Sequence, residues 1–186
     1  MKKLVDRLKK LLGLSKKSAG FTLIELLVVI GILGILAAAL VATINPFEQL
    51  NKAQDANVQN TLVEYIDANV RYYTTHSAMP WNDTANTNAA NCTSFAGAIS
   101  AGGANLGTMT GCVDALIADG ELKSSFTSVA NILSQIVVTG GSTSVISCYA
   151  PKSQSQRNNP NTQYNSTGGL DTANCPGSAG CYWCSQ

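Results

Sequence analysis

Charge is scarce in this 186-residue chain: 12 Lys and Arg against 11 Asp and Glu leave a formal net charge of +1. Histidine is nearly absent, with His76 alone. With one histidine and no G-x-S-x-G there is no readable nucleophile–base constellation, and no glycine-rich phosphate loop or dinucleotide fingerprint is present. The chain is therefore not read as an enzyme, and no cofactor is expected. Aromatic residues make up only 6%, and Tyr65, Tyr72, Tyr73 and Trp81 read as packing residues rather than a binding platform. Cysteine is missing from everything before Cys92.

What charge there is lies unevenly. Residues 1–20 carry seven cations (Lys2, Lys3, Arg7, Lys9, Lys10, Lys16 and Lys17) and one anion, Asp6, whereas residues 21–186 carry five cations and ten anions. Basic residues beside an apolar run are held on the cytoplasmic side of a membrane. Leu4, Leu8, Leu11 and Leu12 recur at helical spacing among those lysines, the pattern of an interfacial helix or targeting segment. A net-acidic remainder with scattered cations argues against phosphate binding, so no nucleic-acid partner is expected.

The apolar run is FTLIELLVVIGILGILAAALVATI, residues 21–44, interrupted only by Thr22, Glu25 and Thr43. As a helix it spans about 36 Å, enough for a hydrocarbon core of about 30 Å. Asn45-Pro46 breaks the run, and Pro46 is expected to kink or end the helix. Beyond it Phe47, Leu50, Val58, Leu62, Ile66, Val70 and Tyr73 share a helical stripe with polar residues opposite. Glu48–Lys52 and Asp67–Arg71 add acid-before-base pairs one turn apart. One long kinked helix over about 21–76 is expected, apolar over 21–44 and amphipathic over 45–76, with the stripe seeking cover from residues 77–186.

Those residues read as an α+β head. Residues 77–110 are Asn, Thr, Ser, Ala and Gly loop with at most a short helix. Cys112–Asp119 is a short helix stopped by Gly120. Two β-branched runs flank Gly140-Gly141 as a hairpin over 134–150, residues 151–180 are loop, and Cys181–Trp183 offers a last strand. Cys92, Cys112, Cys148, Cys175, Cys181 and Cys184 all fall in this head, which fits disulfides in an oxidising compartment. Six cysteines allow 15 pairings. Cys92–Cys112, with Cys148 joined to one of the last three, is the preferred pattern. The Cys181-x-x-Cys184 spacing also invites a redox or zinc reading, with Cys175, Cys148 or His76 as further ligands. Redox motifs of this kind open a helix, whereas this one lies at the end of the given sequence, so structural bridges are preferred and no metal is assigned.

Glu25 is the informative oddity. An acid inside a membrane helix costs about 2.5–3.5 kcal/mol at mid-depth, so something must compensate. A cut after Gly20 would give Phe21 a free cationic amine, and Glu25 could pair with the amine of a neighbouring copy. A secretory signal cut near Ala42 would leave Glu25 without purpose.

The stretch SAGFTLIELLVVIGILGILAA closely resembles the cleavage and methylation signal of type IV pilins and type II secretion pseudopilins. The resemblance is tight over residues 18–44 and looser to about 76. It implies a pilin-like fold and processing between Gly20 and Phe21 by a membrane-embedded prepilin peptidase. It further implies N-methylation of Phe21, and a helix that crosses the inner membrane once before an ATPase-driven assembly platform draws it into a helical filament. Glu25 would set register between subunits. An extracellular pilus serving adhesion is one destination, and a pseudopilus of a secretion or DNA-uptake apparatus is the alternative. Two departures stand out: the basic leader of residues 1–20 is long, and where many members have proline this chain has Ala42, with its proline four residues later at Pro46. With Gly31 and Gly34 each lowering helix propensity by about 1 kcal/mol, local loss of helix between Gly31 and Pro46 is expected in an assembled filament.

Overall fold

In the computed structural model of the chain, residues 20–43, 45–178 and 180–186 are described. The basic leader expected over residues 1–20 therefore lies outside them, apart from Gly20. The chain divides into two compact units, residues 1–45 and 46–186, each taken by itself below.

The described residues of the first unit hold one helix, α1, Leu23–Thr43. It starts two residues later than the apolar run because Thr22 caps it. It continues without interruption through Gly31 and Gly34, so these glycines do not break it in the unassembled chain. Toward its end Thr43 Oγ1 donates back to the Leu40 carbonyl at 2.8 Å. None of the membrane-length stretch Leu23–Val41 is buried.

Asn45 is not helical, and a new helix, α2, runs Pro46–His76. The physical reason is local. Proline disfavours helical geometry in the residue before it, yet suits the first position of a helix, where its missing N–H has no partner to lose.

The second unit is built on one face of α2. Val58, Leu62, Tyr65, Ile66, Asn69 and Tyr72 are buried, at the three- and four-residue spacing that lines up one side of a helix. Three members of the expected stripe fall outside this face: Phe47 is 74% exposed, Leu50 61% and Val70 49%. Phe47 and Leu50 precede the point where cover begins, since no residue from Pro46 to Gln54 is buried. Val70 follows buried Asn69 and so points about 100° away from it. Arg71 also departs from its expected same-helix partner and pairs with Glu121, Nε to Oε2, at 2.9 Å.

Cover comes from short elements and a four-stranded antiparallel sheet in the order β1-β2-β3-β4: β1 Ala104–Asn105, β2 Ile136–Gly140, β3 Val145–Tyr149 and β4 Trp183–Ser185. The β2–β3 hairpin pairs Ile136 with Tyr149 through Gly140 with Val145. A side chain at Gly140 would collide with the Ser144 carbonyl, and its φ of +154° is one L side chains rarely adopt. The last strand falls at Trp183–Ser185 rather than Cys181–Trp183, because Trp183 and Cys184 are the residues that face Tyr149 and Cys148 in register. The remaining α-helices among the described residues are α3 Ala96–Ala101, α4 Thr110–Ala118, α5 Ala130–Leu133 and α6 Gln154–Arg157. After α4 the chain turns at Gly120, φ +78°, whose N–H reaches the Ile117 carbonyl at 3.0 Å.

Leu106, Met109, Val113 and Leu116 from the α3–α4 region and Ile136, Val138 and Tyr149 from the sheet form one core with the α2 face. Trp81, 2% exposed, donates its indole N–H to the Gly141 carbonyl at 3.0 Å and so ties the loop after α2 to the hairpin. Disulfides join Cys92 to Cys112, Cys148 to Cys184 and Cys175 to Cys181.

Leu62→Ala, at a site with no exposure, is expected to lower the stability of the full chain in detergent by about 2–5 kcal/mol. Leu50→Ala should stay within about 0.5 kcal/mol. Denaturant melts of the two variants compare them directly, and equal losses would refute the placement of the buried face.

Candidate functional site

The residues singled out at the start of the apolar run meet at the N-terminus of α1. Thr22 is the cap. Its backbone N–H and its hydroxyl both donate to Glu25 Oε2 at 2.8 Å, and its Oγ1 accepts the Glu25 N–H at 3.3 Å. This is a capping box: the threonine and the acid three residues on satisfy each other's backbone N–H groups, which a helix start otherwise leaves open. An acid in the first turn also sits favourably at the positive end of the helix dipole. The sequence reading gave Glu25 only an intermolecular purpose, but within one chain the carboxylate already has work at this helix end. Thr22 is the residue that reading passed over, although the signal, T-x-x-E ahead of an apolar run, was there to be seen.

The site's surroundings are open. Phe21 is 84% exposed, Leu23 82% and Ile24 68%, and, its chain neighbours apart, no atom of the described residues lies within 4 Å of where a side chain would begin at Gly20. Glu25 Oε2 carries both hydrogen bonds from Thr22. Oε1 takes none from the described residues. From Leu26 to Phe47 there is no further charged residue. A single acid thus stands at the head of an apolar rod, its Oε2 engaged by Thr22 and its Oε1 unengaged among the described residues.

Comparison with known families bears on this same segment. The family model described as the prokaryotic N-terminal methylation motif matches residues 15–41. Residues 15–41 carry the prepilin signal of type IV pilins and pseudopilins. The match covers Gly20, Phe21, Thr22, Glu25 and almost all of α1. No curated protein and no solved structure matches the chain.

The other candidates lie in the second unit. Cys181 and Cys184 take different partners, Cys175 and Cys148, so the C-x-x-C spacing does not correspond to a local pair of thiols. Cys184 faces Cys148 across the β3–β4 ladder, which fastens the last strand to the sheet. Among the described residues no three His, Cys, Asp or Glu side chains converge as metal ligands.

His76 ends α2 with its ring stacked on Tyr72, the centroids 4.0 Å apart, and its Nε2 3.8 Å from Asp119 Oδ2. Next to it the Tyr72 hydroxyl donates to Asp83 Oδ2 at 2.8 Å, and Asp83 Oδ1 accepts the Ala85 and Asn86 N–H groups. Burial alone would raise the Asp83 pKa, but the hydrogen bonds from Tyr72, Asn86 and Ala85 outweigh it and hold the carboxyl below its usual range. Burial pushes the Tyr72 phenol well above its ordinary value. These groups tie the end of α2 to the loop that follows.

Thr22→Val keeps the size of residue 22 and removes its hydroxyl. Amide exchange at Glu25, measured on the full chain in micelles, is expected to speed up about fivefold, the equivalent of one lost cap, with Thr22→Ser restoring the parental rate. An unchanged rate in Thr22→Val would mean that the hydroxyl does not cap α1.

Proposed function

We propose that this chain is the precursor of a type IV pilin-like structural subunit that polymerises into an extracellular filament. The observation that carries the reading is the coincidence of the methylation motif at residues 15–41 with an entirely unburied apolar helix opened by a single acid. A helix apolar on all faces is stable in a bilayer, or among copies of itself, but not in water.

On this reading a prepilin peptidase cuts between Gly20 and Phe21 on the cytoplasmic side of the inner membrane, leaving residues 21–186 as the subunit. The cut turns the Phe21 nitrogen from an uncharged amide into an amine that is protonated at neutral pH, and N-methylation keeps it basic. Glu25 then meets that cation from an adjacent copy through the oxygen that Thr22 leaves available. The pair removes the cost of an isolated acid in an apolar core and sets the axial step between subunits, since a misplaced copy leaves both charges unpaired. An assembly platform and its ATPase draw the helix out of the membrane. The head, residues 46–186, is carried to the filament surface, and its disulfides suit that oxidising side. Pro46 opens the helix of the head, where the chain passes from the membrane-spanning part to the exposed one.

Mass analysis of the protein recovered from cells tests the processing step. The expected mature chain starts at Phe21 and carries one added methyl group. A chain starting near Thr43, or one that keeps residues 1–20, would overturn the assignment. Glu25→Ala is expected to be cut normally yet to give about tenfold fewer filaments by electron microscopy, a tenfold change corresponding to about 1.4 kcal/mol in the pairing. Normal filament yield would remove Glu25 from assembly.

A further inference from the structure

Two carboxylates on α2, two turns apart, take up four consecutive backbone N–H groups of a distant segment. Asp55 Oδ1 accepts from the Lys152 N–H at 2.9 Å, and Oδ2 from the Ser153 N–H at 2.8 Å and the Ser153 hydroxyl at 2.6 Å. Glu48 Oε2 accepts from the Gln154 N–H and Oε1 from the Ser155 N–H, each at 3.1 Å. All four carboxylate oxygens are used, and so are the N–H groups of residues 152, 153, 154 and 155 in order.

Pro151 and Ser153 are buried at this end, whereas Lys152, Gln154 and Ser155 are exposed. Helix α6 is a single turn, too short to persist alone. Within the segment, Ser153 Oγ accepts the Gln156 N–H at 3.3 Å and Arg157 Nε donates to the Pro151 carbonyl at 2.9 Å. Its far end is tied separately, by the Thr162 hydroxyl on the Gln156 carbonyl and the Gly177 N–H on the Arg157 carbonyl. On the α2 side no residue from Pro46 to Gln54 is buried, so apolar packing does not hold the Glu48 turn to the head, whereas Asp55 is buried at the edge of the core, one turn before Val58.

We propose that Glu48 and Asp55 form a clasp that binds residues 152–155 to the first turns of α2, and that its Glu48 end is released by acid: ionised, Glu48 holds the Gln154 and Ser155 N–H groups, and protonated, it lets them go while the disulfide-tied sheet stays folded. The clasp belongs to the single chain and does not depend on the filament reading. Its chemistry is that of charge-assisted hydrogen bonds, which lose strength when the acceptor is neutralised. The charged and titratable groups around it are Lys52, one turn along α2, Lys152 and Arg157 on the segment itself, and Tyr149 on β3, which lies within the field of Asp55. Lys152 Nζ rests 3.5 Å from Gln54 Oε1, and the Arg157 Nε is engaged by Pro151.

The sign follows from Glu48. The Gln154 and Ser155 N–H groups favour its ionised form and lower its pKa below the ordinary carboxyl value. Its contribution is therefore complete above the unfolded-state pKa of about 4.3 and disappears as pH falls through the lower folded-state value.

Hydrogen exchange with residue resolution on the full chain in micelles, expressed as protection factors, tests the proposal. At neutral pH, Glu48→Gln is expected to lower protection of Gln154 and Ser155 about tenfold, and Asp55→Asn to lower that of Lys152 and Ser153 at least as much, with the β2 and β3 amides unchanged. The unmutated chain, taken stepwise in pH from neutral to below the ordinary carboxyl value of about 4.3 and on through the lowered folded-state value of Glu48, should lose protection at Gln154 and Ser155 and keep it in the sheet. This second measurement stands even if Asp55→Asn does not fold. Unaltered protection at Gln154 and Ser155 in Glu48→Gln would overturn the clasp, as would loss of segment and sheet together in acid.

Discussion

The burial of one face of α2 is the constraint on which the head depends. Leu62, Tyr65 and Tyr72 have no exposure at all, and the short helices, the hairpin and the last strand are arranged as cover for them. With so many of its connections irregular, this small head stabilises its cover with three disulfides, which restrict the unfolded chain more than they enlarge the core. Helix α1 is the opposite case. It is apolar on every side and none of the described residues of its own unit covers it, and such a helix is stable in a lipid or protein surround but not in water.

Carboxylates do uncommon duty in a chain so poor in charge. Glu25 accepts the Thr22 N–H, Glu48 those of Gln154 and Ser155, Asp55 those of Lys152 and Ser153, and Asp83 those of Ala85 and Asn86. Each closes a helix start or loop whose backbone donors would otherwise be left open. In the head these bonds fasten irregular segments to regular ones. At Glu25 the same habit leaves one oxygen unengaged among the described residues, and the proposed intersubunit pairing uses that oxygen.

Much of this was readable beforehand wherever a pattern is local. Residues 21–44 could be read as a helix because apolarity on all faces needs no knowledge of neighbours. The end of α4 at Gly120 and the hairpin around Gly140 announced themselves through backbone chemistry that only glycine tolerates. The stripe on α2 was traced with partial success. Its period was plain, but whether Phe47 or Leu50 is covered depends on where the head begins, and that is a property of residues a hundred positions away. The helical turns over Ser124–Val129 are not legible because the Thr127 and Ser128 hydroxyls bond the backbone and blur the periodicity, and α5, four residues long, is too short to show a period. The capping box at Thr22 was missed for a different reason: attention went to a partner for Glu25 in another copy when one stood three residues away.

Composition and order alone determined that the chain has a membrane-length apolar helix with a single acid near its start, a break at Pro46 and a cysteine-bearing head, since each follows from side-chain chemistry and short-range periodicity. Only the tertiary structure decided which cysteines meet, which side of α2 is buried, that Arg71 pairs with Glu121, and that Glu48 and Asp55 hold residues 152–155. Apart from the Cys175–Cys181 bridge, which spans 6 positions, those outcomes depend on bringing together segments separated by about 20 to 107 positions, a choice governed by how the whole core closes rather than by any local preference.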